Sequence, residues 1–191
     1  LEELTLTGGL NVYNSSNVVL RNVNITADAY YAIWCDENTE VTVESGTFAA
    51  SDESTAVLGM VQSEDYPAEL TVNGGDFAAN EKKMVLDNGD TNTPVINSGS
   101  FDQDILEFVA ADKVSASLTS SESAKYYVGT SEEIKNVLIE TAEQGDSITI
   151  QQGNVALSAL PGGITVKNEG SGTVTVDGDE VDDNSQVVTC Q

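Results

Sequence analysis

Two apolar residues one position apart, followed by a large apolar residue five positions later, recur four times along the chain. The blocks are NVVLRNVNITA from Asn17, EVTVESGTFAA from Glu40, ELTVNGGDFAA from Glu69 and TPVINSGSFDQ from Thr93. They align as three ladders: Val18, Val41 and Leu70, with Pro94 as the irregular member; Leu20, Val43, Val72 and Ile96; and Ile25, Phe48, Phe77 and Phe101. All three step by the same intervals of 23, 29 and 24 residues, and a repeat in that range is the signature of stacked supersecondary units. Within a block, alternation such as V-T-V or L-T-V makes a strand with one buried face. A small or polar pair then turns the chain: Asn22-Val23, Ser45-Gly46, Gly74-Gly75 and Ser98-Gly99. A second short strand precedes each later block, at residues 32–36, 57–62 and 84–87. Repeats of strand, turn, strand and turn in register predict an all-β fold. Its form is a right-handed parallel β-helix, with the three phenylalanines stacked inside it.

The opening residues predict an abbreviated first rung. Leu4-Thr5-Leu6 with Gly8-Gly9 copies Leu70-Thr71-Val72 with Gly74-Gly75, while Leu10 and Val12 take the places that Ile33 and Cys35 hold one rung later. With Ile33 and Cys35 inside, Trp34 and Asp36 point outward, as do Asn11 and Tyr13. The pattern then changes. Residues 102–109 predict a helical turn over the open end of the coil, and residues 115–124 read as a polar linker. One amphipathic helix follows at about 131–144. Thr130 is its N-cap and Glu133 the capping-box partner, Ile134, Val137, Leu138, Thr141 and Ala142 form its apolar stripe, and Gly145 ends it. Short strands separated by Gly, Pro and Asp turns complete the chain. The expected division is therefore β-helix rungs with a closing segment at 1–115, a linker at 116–125, and a second, helix-capped β-rich unit at 126–191.

Charge narrows the function. Of 191 residues, 32 are acidic and 7 basic, giving a formal net charge of −25 with no histidine. Nucleic acid is excluded as a partner, because phosphate binding needs clustered Lys and Arg. No stretch reaches the ~18 consecutive apolar residues of a membrane span. The Ser- and Thr-rich, Lys-poor composition fits a secreted or surface protein, and Leu1, already at the edge of a strand, reads as part of a longer chain. Of the two cysteines, Cys35 lies in phase with Ile33 and reads as a small core residue. A Cys35–Cys190 disulfide is the other reading, and neither thiol has a histidine to activate it.

The candidate chemistry is sparse. Trp34, with Tyr13, Asp36 and the nearby Tyr30 and Tyr31, has the makings of a glycan-binding platform, where flat apolar faces lie beside hydrogen-bonding groups. The competing reading packs Trp34 beneath the insertion at 51–66 or against the C-terminal part. Two oxygen-rich turns, with Asp87 and Asp90 in one and Asp177 and Asp179 in the other, are calcium candidates by ligand type, although acidic turns are also ordinary solvated loops. No other cofactor is expected.

TSEEIKNVLIETAEQGDSITIQQGNVALSALPGGITVKNEG resembles the N-terminal cap and first rungs of pectate-lyase-like right-handed β-helices, in which a capping helix ends in Gly-Asp before an I-T-I strand. ELTVNGGDFAA and PVINSGSFDQDILEFVA are similar to rungs and closing segments of large repetitive bacterial surface proteins. The resemblance implies a non-catalytic extracellular module, a monomeric segment of a longer chain, that presents loops or a face to a glycan or a host or cell-surface protein. The alternative is a carbohydrate-active lyase or hydrolase, or an inactive glycan-binding relative. Lyases of that kind use an Arg or Lys base in a calcium cluster, whereas the one arginine here, Arg21, has Glu44 and Asn73 as its rung counterparts and no cage of acids is legible around it. The G-H-G and R-I-K motifs of the hydrolases are absent. Asp36, Glu40 and Glu44 could form a carboxylate pair, but among 32 acids some pair meets the required separation by chance.

Overall fold

The computed structural model describes residues 1–15, 17–61, 65–86 and 93–189. Two compact units divide the chain, Leu1–Phe108 and Val109–Gln191.

In the first unit the chain visits three parallel sheets in strict rotation. Sheet A contains Thr5–Thr7, Val23–Thr26, Gly46–Ala49, Asp76–Ala78 and Gly99–Phe101. Sheet B contains Leu10–Val12, Tyr30–Cys35, Ser54–Met60 and Lys83–Leu86. Sheet C contains Val18–Leu20, Thr39–Val43, Ala68–Val72 and Val95–Ile96. Every pairing within these sheets is parallel. The ladders read from sequence are the observed registers: Val18 faces Val41 and Leu70, and Leu20 faces Val43, Val72 and Ile96. Ile25 likewise aligns with Phe48, Phe77 and Phe101. The phenylalanine rings stack inside at centroid separations of 5.0 and 4.9 Å, all three buried.

Each period holds three strands rather than two. The residue after the glycine turn belongs to its own strand, because Gly46, Gly75 and Gly99 take φ values of +138°, +118° and +144° and bring the next segment alongside its neighbours. The first rung is also phased differently from the sequence alignment. Thr5–Thr7 pairs with Val23–Thr26 in sheet A, placing Leu6 against Ile25, whereas Leu70-Thr71-Val72 lies in sheet C. Alternation alone does not distinguish two sheets that share a core, and Gly8-Gly9 joins A to B where Gly74-Gly75 joins C to A. Leu10 and Val12 do face Ile33 and Cys35.

Residues 102–103 follow the last strand of sheet A. The backbone N–H groups of Ala27 and Ala50 donate to carbonyls one sequence period further on, at Ala49 and Ala78, each at 2.9 Å. Ala79 and Asn80 donate instead to the two carboxylate oxygens of Asp102, at 2.8 and 3.0 Å. Gln103 accepts from Met84 N–H and donates to the Lys82 carbonyl. Two side chains thus replace a missing strand, which answers the exposure of an unpaired edge. A short 3₁₀ turn, Leu106–Phe108, follows.

In the second unit, Val114–Thr119 pairs antiparallel with both Ala124–Gly129 and Ser147–Gln152. This overturns the linker at 116–125. Val114, Ala116 and Leu118 alternate into the core, and Ser115 and Ser117 are buried as well, Ser115 donating to Gln151. Small polar residues are compatible with a central strand once their hydroxyls are hydrogen-bonded. Ser147–Gln152 continues parallel to Thr165–Asn168, which runs antiparallel to Gln186–Val188. A smaller sheet joins Val155–Leu157, Val174–Val176 and Asp179–Val181.

The α-helix Ser131–Thr141 starts at the expected capping box. Thr130 Oγ1 accepts from Glu133 N–H, and the Glu133 carboxylate accepts from Thr130 N–H at 2.7 Å. It stops at Thr141, short of Gly145, because Ala142 is already extended with ψ of 137°. Ile134 and Leu138 are buried with Leu118, Ile148, Val155 and Leu157. Replacing Thr130 with alanine is expected to remove about 1 kcal/mol from this unit, read as a lower urea midpoint with unchanged m-value.

Candidate functional site

The outward side of sheet B carries the most developed surface feature. Tyr30–Cys35 starts at a register shift, where Tyr30 faces Ser54 but Tyr31 faces Ala56, and Tyr30 sits at φ of +49°. A positive φ is uncommon for an aromatic residue, and such backbone conformations collect at functional positions. Beyond the shift, Tyr31 and Trp34, three residues apart, stack at 4.7 Å with 29° between the rings. Tyr30 extends the row at 6.4 Å from Tyr31 and remains 70% exposed.

Gly59, opposite Trp34 on the next strand, makes this stack possible: a Cβ there would lie 2.6 Å from the indole Cε3 and 3.0 Å from Tyr31 Cδ1. Trp34 therefore leans on a residue of the insertion, as the competing sequence reading held, while keeping an open side. Beside it is a recess of about 380 Å³ lined by Asn11, Asp28, Tyr30, Tyr31 and Trp34. Asn11 faces Trp34 across adjacent strands. Gly9 contributes bare backbone, since a Cβ there would meet the Tyr31 carbonyl at 2.3 Å. Partial burial, with Tyr30 adding to it, raises the Tyr31 phenol above its ordinary value, so it is a neutral hydrogen-bonding group at pH 7.

Of the candidate platform read from sequence, the structure brings Trp34, Tyr30 and Tyr31 to this recess and leaves out Tyr13 and Asp36. Tyr13 is 62% exposed and stands outside the lining, and Asp36 turns back to accept from Glu37 N–H at 2.9 Å. Asn11, Tyr30 and Tyr31 were noted as neighbours of Trp34. Asp28 escaped sequence reading, because nothing local shows that the chain after sheet A folds back over sheet B.

The remaining candidates have local roles. Arg21 lies between two carboxylates, Nε donating to Glu44 at 2.6 Å and Nη1 to Glu2 at 3.1 Å. The sequence reading had found no acids clustered around it. Glu2 was missed because its parallel bridge to Arg21 belongs to the first, irregular rung. Hydrogen bonds to Glu44 and then to Glu2 raise the guanidinium further above neutral pH, so it stays protonated and donates rather than abstracts a proton. Burial pushes the Cys35 thiol up to about 12, leaving it inert at pH 7. Its pairing with Cys190 lies outside the described residues, as do Asp87 and Asp90. Asp177 (φ +51°) and Gly178 (φ +94°) form the two-residue turn between Val174–Val176 and Asp179–Val181, the geometry Asp-Gly favours in tight hairpins. The Asp177 carboxylate also accepts weakly from Ala159 N–H, at 3.4 Å. Among the described residues no group of three acids, cysteines or histidines converges as a metal site, and no helix is long and apolar enough to cross a membrane.

No known protein family, curated protein or solved structure matches the chain.

Proposed function

We propose that Leu1–Phe108 is a right-handed parallel β-helix and that the protein is a non-catalytic structural or adhesion module of a repetitive, extracellular bacterial surface protein. In this reading it resembles pectate-lyase-like coils in build but not in chemistry. The observation that carries it is the rotation of the chain through three parallel sheets with the ladders in register and the phenylalanines of one ladder stacked and buried. A parallel crossover of this kind is right-handed in the great majority of proteins. Rigidity along the coil comes from backbone ladders reinforced by side-chain ones. Asn24 accepts from Thr47 at 2.8 Å, and Ser45 and Asn22 hydrogen-bond at 3.1 Å. The charge of −25 keeps such an array soluble. The second unit, with its capped helix, fits the start of the next module in the same chain.

Absence of catalysis is supported by the state of the groups a lyase or hydrolase would need. Arg21 is paired and protonated, and the Cys35 thiol is buried and neutral. The test is incubation with pectic and neutral polysaccharides, with and without calcium, reading new reducing ends and unsaturated sugar products. The expected result is neither. Unsaturated products abolished by Arg21→Ala would replace this reading with the lyase one, and reducing ends without unsaturation would replace it with the hydrolase one.

A second reading, the inactive glycan-binding relative, is favoured by the recess beside Trp34. On a glycan array the wild type is expected to give signals that Trp34→Ala loses, and calcium is expected to leave them unchanged.

A further inference from the structure

We infer that the recess beside Trp34 binds a neutral sugar, one pyranose ring lying against the Tyr30–Tyr31–Trp34 row with Asn11 and Asp28 holding its hydroxyls. This rests on the reading of Leu1–Phe108 as a non-catalytic module and names what one of its faces takes.

The shape comes first. Tyr31 and Trp34 stack on each other, and Tyr30, inclined by 31° to Tyr31, is 70% exposed, so the row offers an open shelf at its Tyr30 end rather than a box. An open ring face suits the C–H face of a pyranose, which is flat and apolar while its rim is hydroxylated. A quaternary ammonium group is held best by rings that enclose it. The polar groups come next. Asn11 offers two donors and an acceptor, and Asp28 offers acceptors only, a combination that serves neighbouring hydroxyls acting in both directions. Neither side chain hydrogen-bonds within the described residues, so both are open to a ligand. Asp28 and the net charge of −25 select against uronate, sulfated or phosphorylated sugars, whose anions would meet repulsion at the recess and across the surface.

Preorganisation is the third element. Asn11 and Trp34 are held on adjacent strands, and Gly59 fixes the depth at which the indole rests. Placing the shelf on strands lowers the ordering cost of binding. A single small recess gives weak, millimolar binding, which a repetitive surface array would raise through multivalency.

Trp34 is the one tryptophan in the chain, so its emission reports on the recess directly. The experiment titrates the intact protein with methyl glycosides of glucose, galactose, mannose and N-acetylglucosamine, and in parallel with methyl glucuronate and with choline. At least one neutral glycoside is expected to give a saturable emission change. Asn11→Ala and Asp28→Asn should each weaken it by about tenfold, as expected for hydrogen bonds to a charged or well-placed partner, while the melting temperature stays that of the wild type. Tyr31→Phe, which keeps the stack, should retain binding. The inference is overturned if every neutral glycoside leaves the emission of the folded protein unchanged. A stronger response to glucuronate or to choline would overturn it too. None of these results touches the scaffold reading, which fails separately if the same samples show bond cleavage.

Discussion

Phe77→Ala is expected to lower the stability of Leu1–Phe108 by about 3–5 kcal/mol, the cost typical of removing a buried phenyl ring that cannot be refilled. Phe77 is the middle ring of the column, stacked on Phe48 at 5.0 Å and on Phe101 at 4.9 Å, so its loss leaves both neighbours facing a void. Backbone ladders on both sides hold those neighbours in register, which limits collapse into the space. Phe77→Leu keeps most of the volume and should cost less than half as much. Phe77→Ser adds an unpaired hydroxyl to the cavity and should be the worst of the three. Urea denaturation followed by circular dichroism gives the ordering. If Phe77→Ser unfolds at the wild-type midpoint, the phenylalanine column is not the core of this unit.

Gly46→Ala is expected to be of similar severity, on the order of 4 kcal/mol, combining backbone strain with an overpacked contact. Its φ of +138° belongs to a region that side chains rarely enter, and an added Cβ would lie 1.9 Å from the Val23 carbonyl oxygen. That oxygen is backbone and cannot rotate away. Gly145 is the control: its φ is +94°, but nothing lies within 4 Å of the added atom, so Gly145→Ala should cost only the strain component. Equal loss at both positions would mean that the close approach of rungs at Gly46 contributes little.

The failures of sequence reading are as informative as these effects. The ladder Ile25–Phe48–Phe77–Phe101 was legible because apolar residues recur at a common interval. Assigning Thr5–Thr7 to the wrong sheet shows the limit of that signal. Leu-Thr-Leu alternates equally well wherever it is placed, and only the pairing partner tells which wall it joins. Residues 114–119 failed for a different reason. Serine alternating with Val, Ala and Leu looks solvated, yet the strand is paired along both edges and its serines are buried along with its apolar residues.

The site follows the same division. Trp34 stood out as an outward aromatic from the phase of Ile33 and Cys35 alone, yet Tyr13 and Asp36, its apparent companions, belong elsewhere. The recess depends on a glycine 25 positions beyond Trp34 and on bringing Asp28 and Asn11, from separate stretches of the chain, to one lining. The sequence by itself determined the repeat, the parallel ladders and the capped helix start at Thr130, because each rests on residues at a fixed spacing along the chain. Tertiary structure alone decided the third sheet, the pairing of Arg21 with Glu2, and which outward residues share the recess. Those depend on which backbones come within a few ångströms of one another, and that is settled by close approach at Gly9, Gly46 and Gly59 rather than by any local pattern.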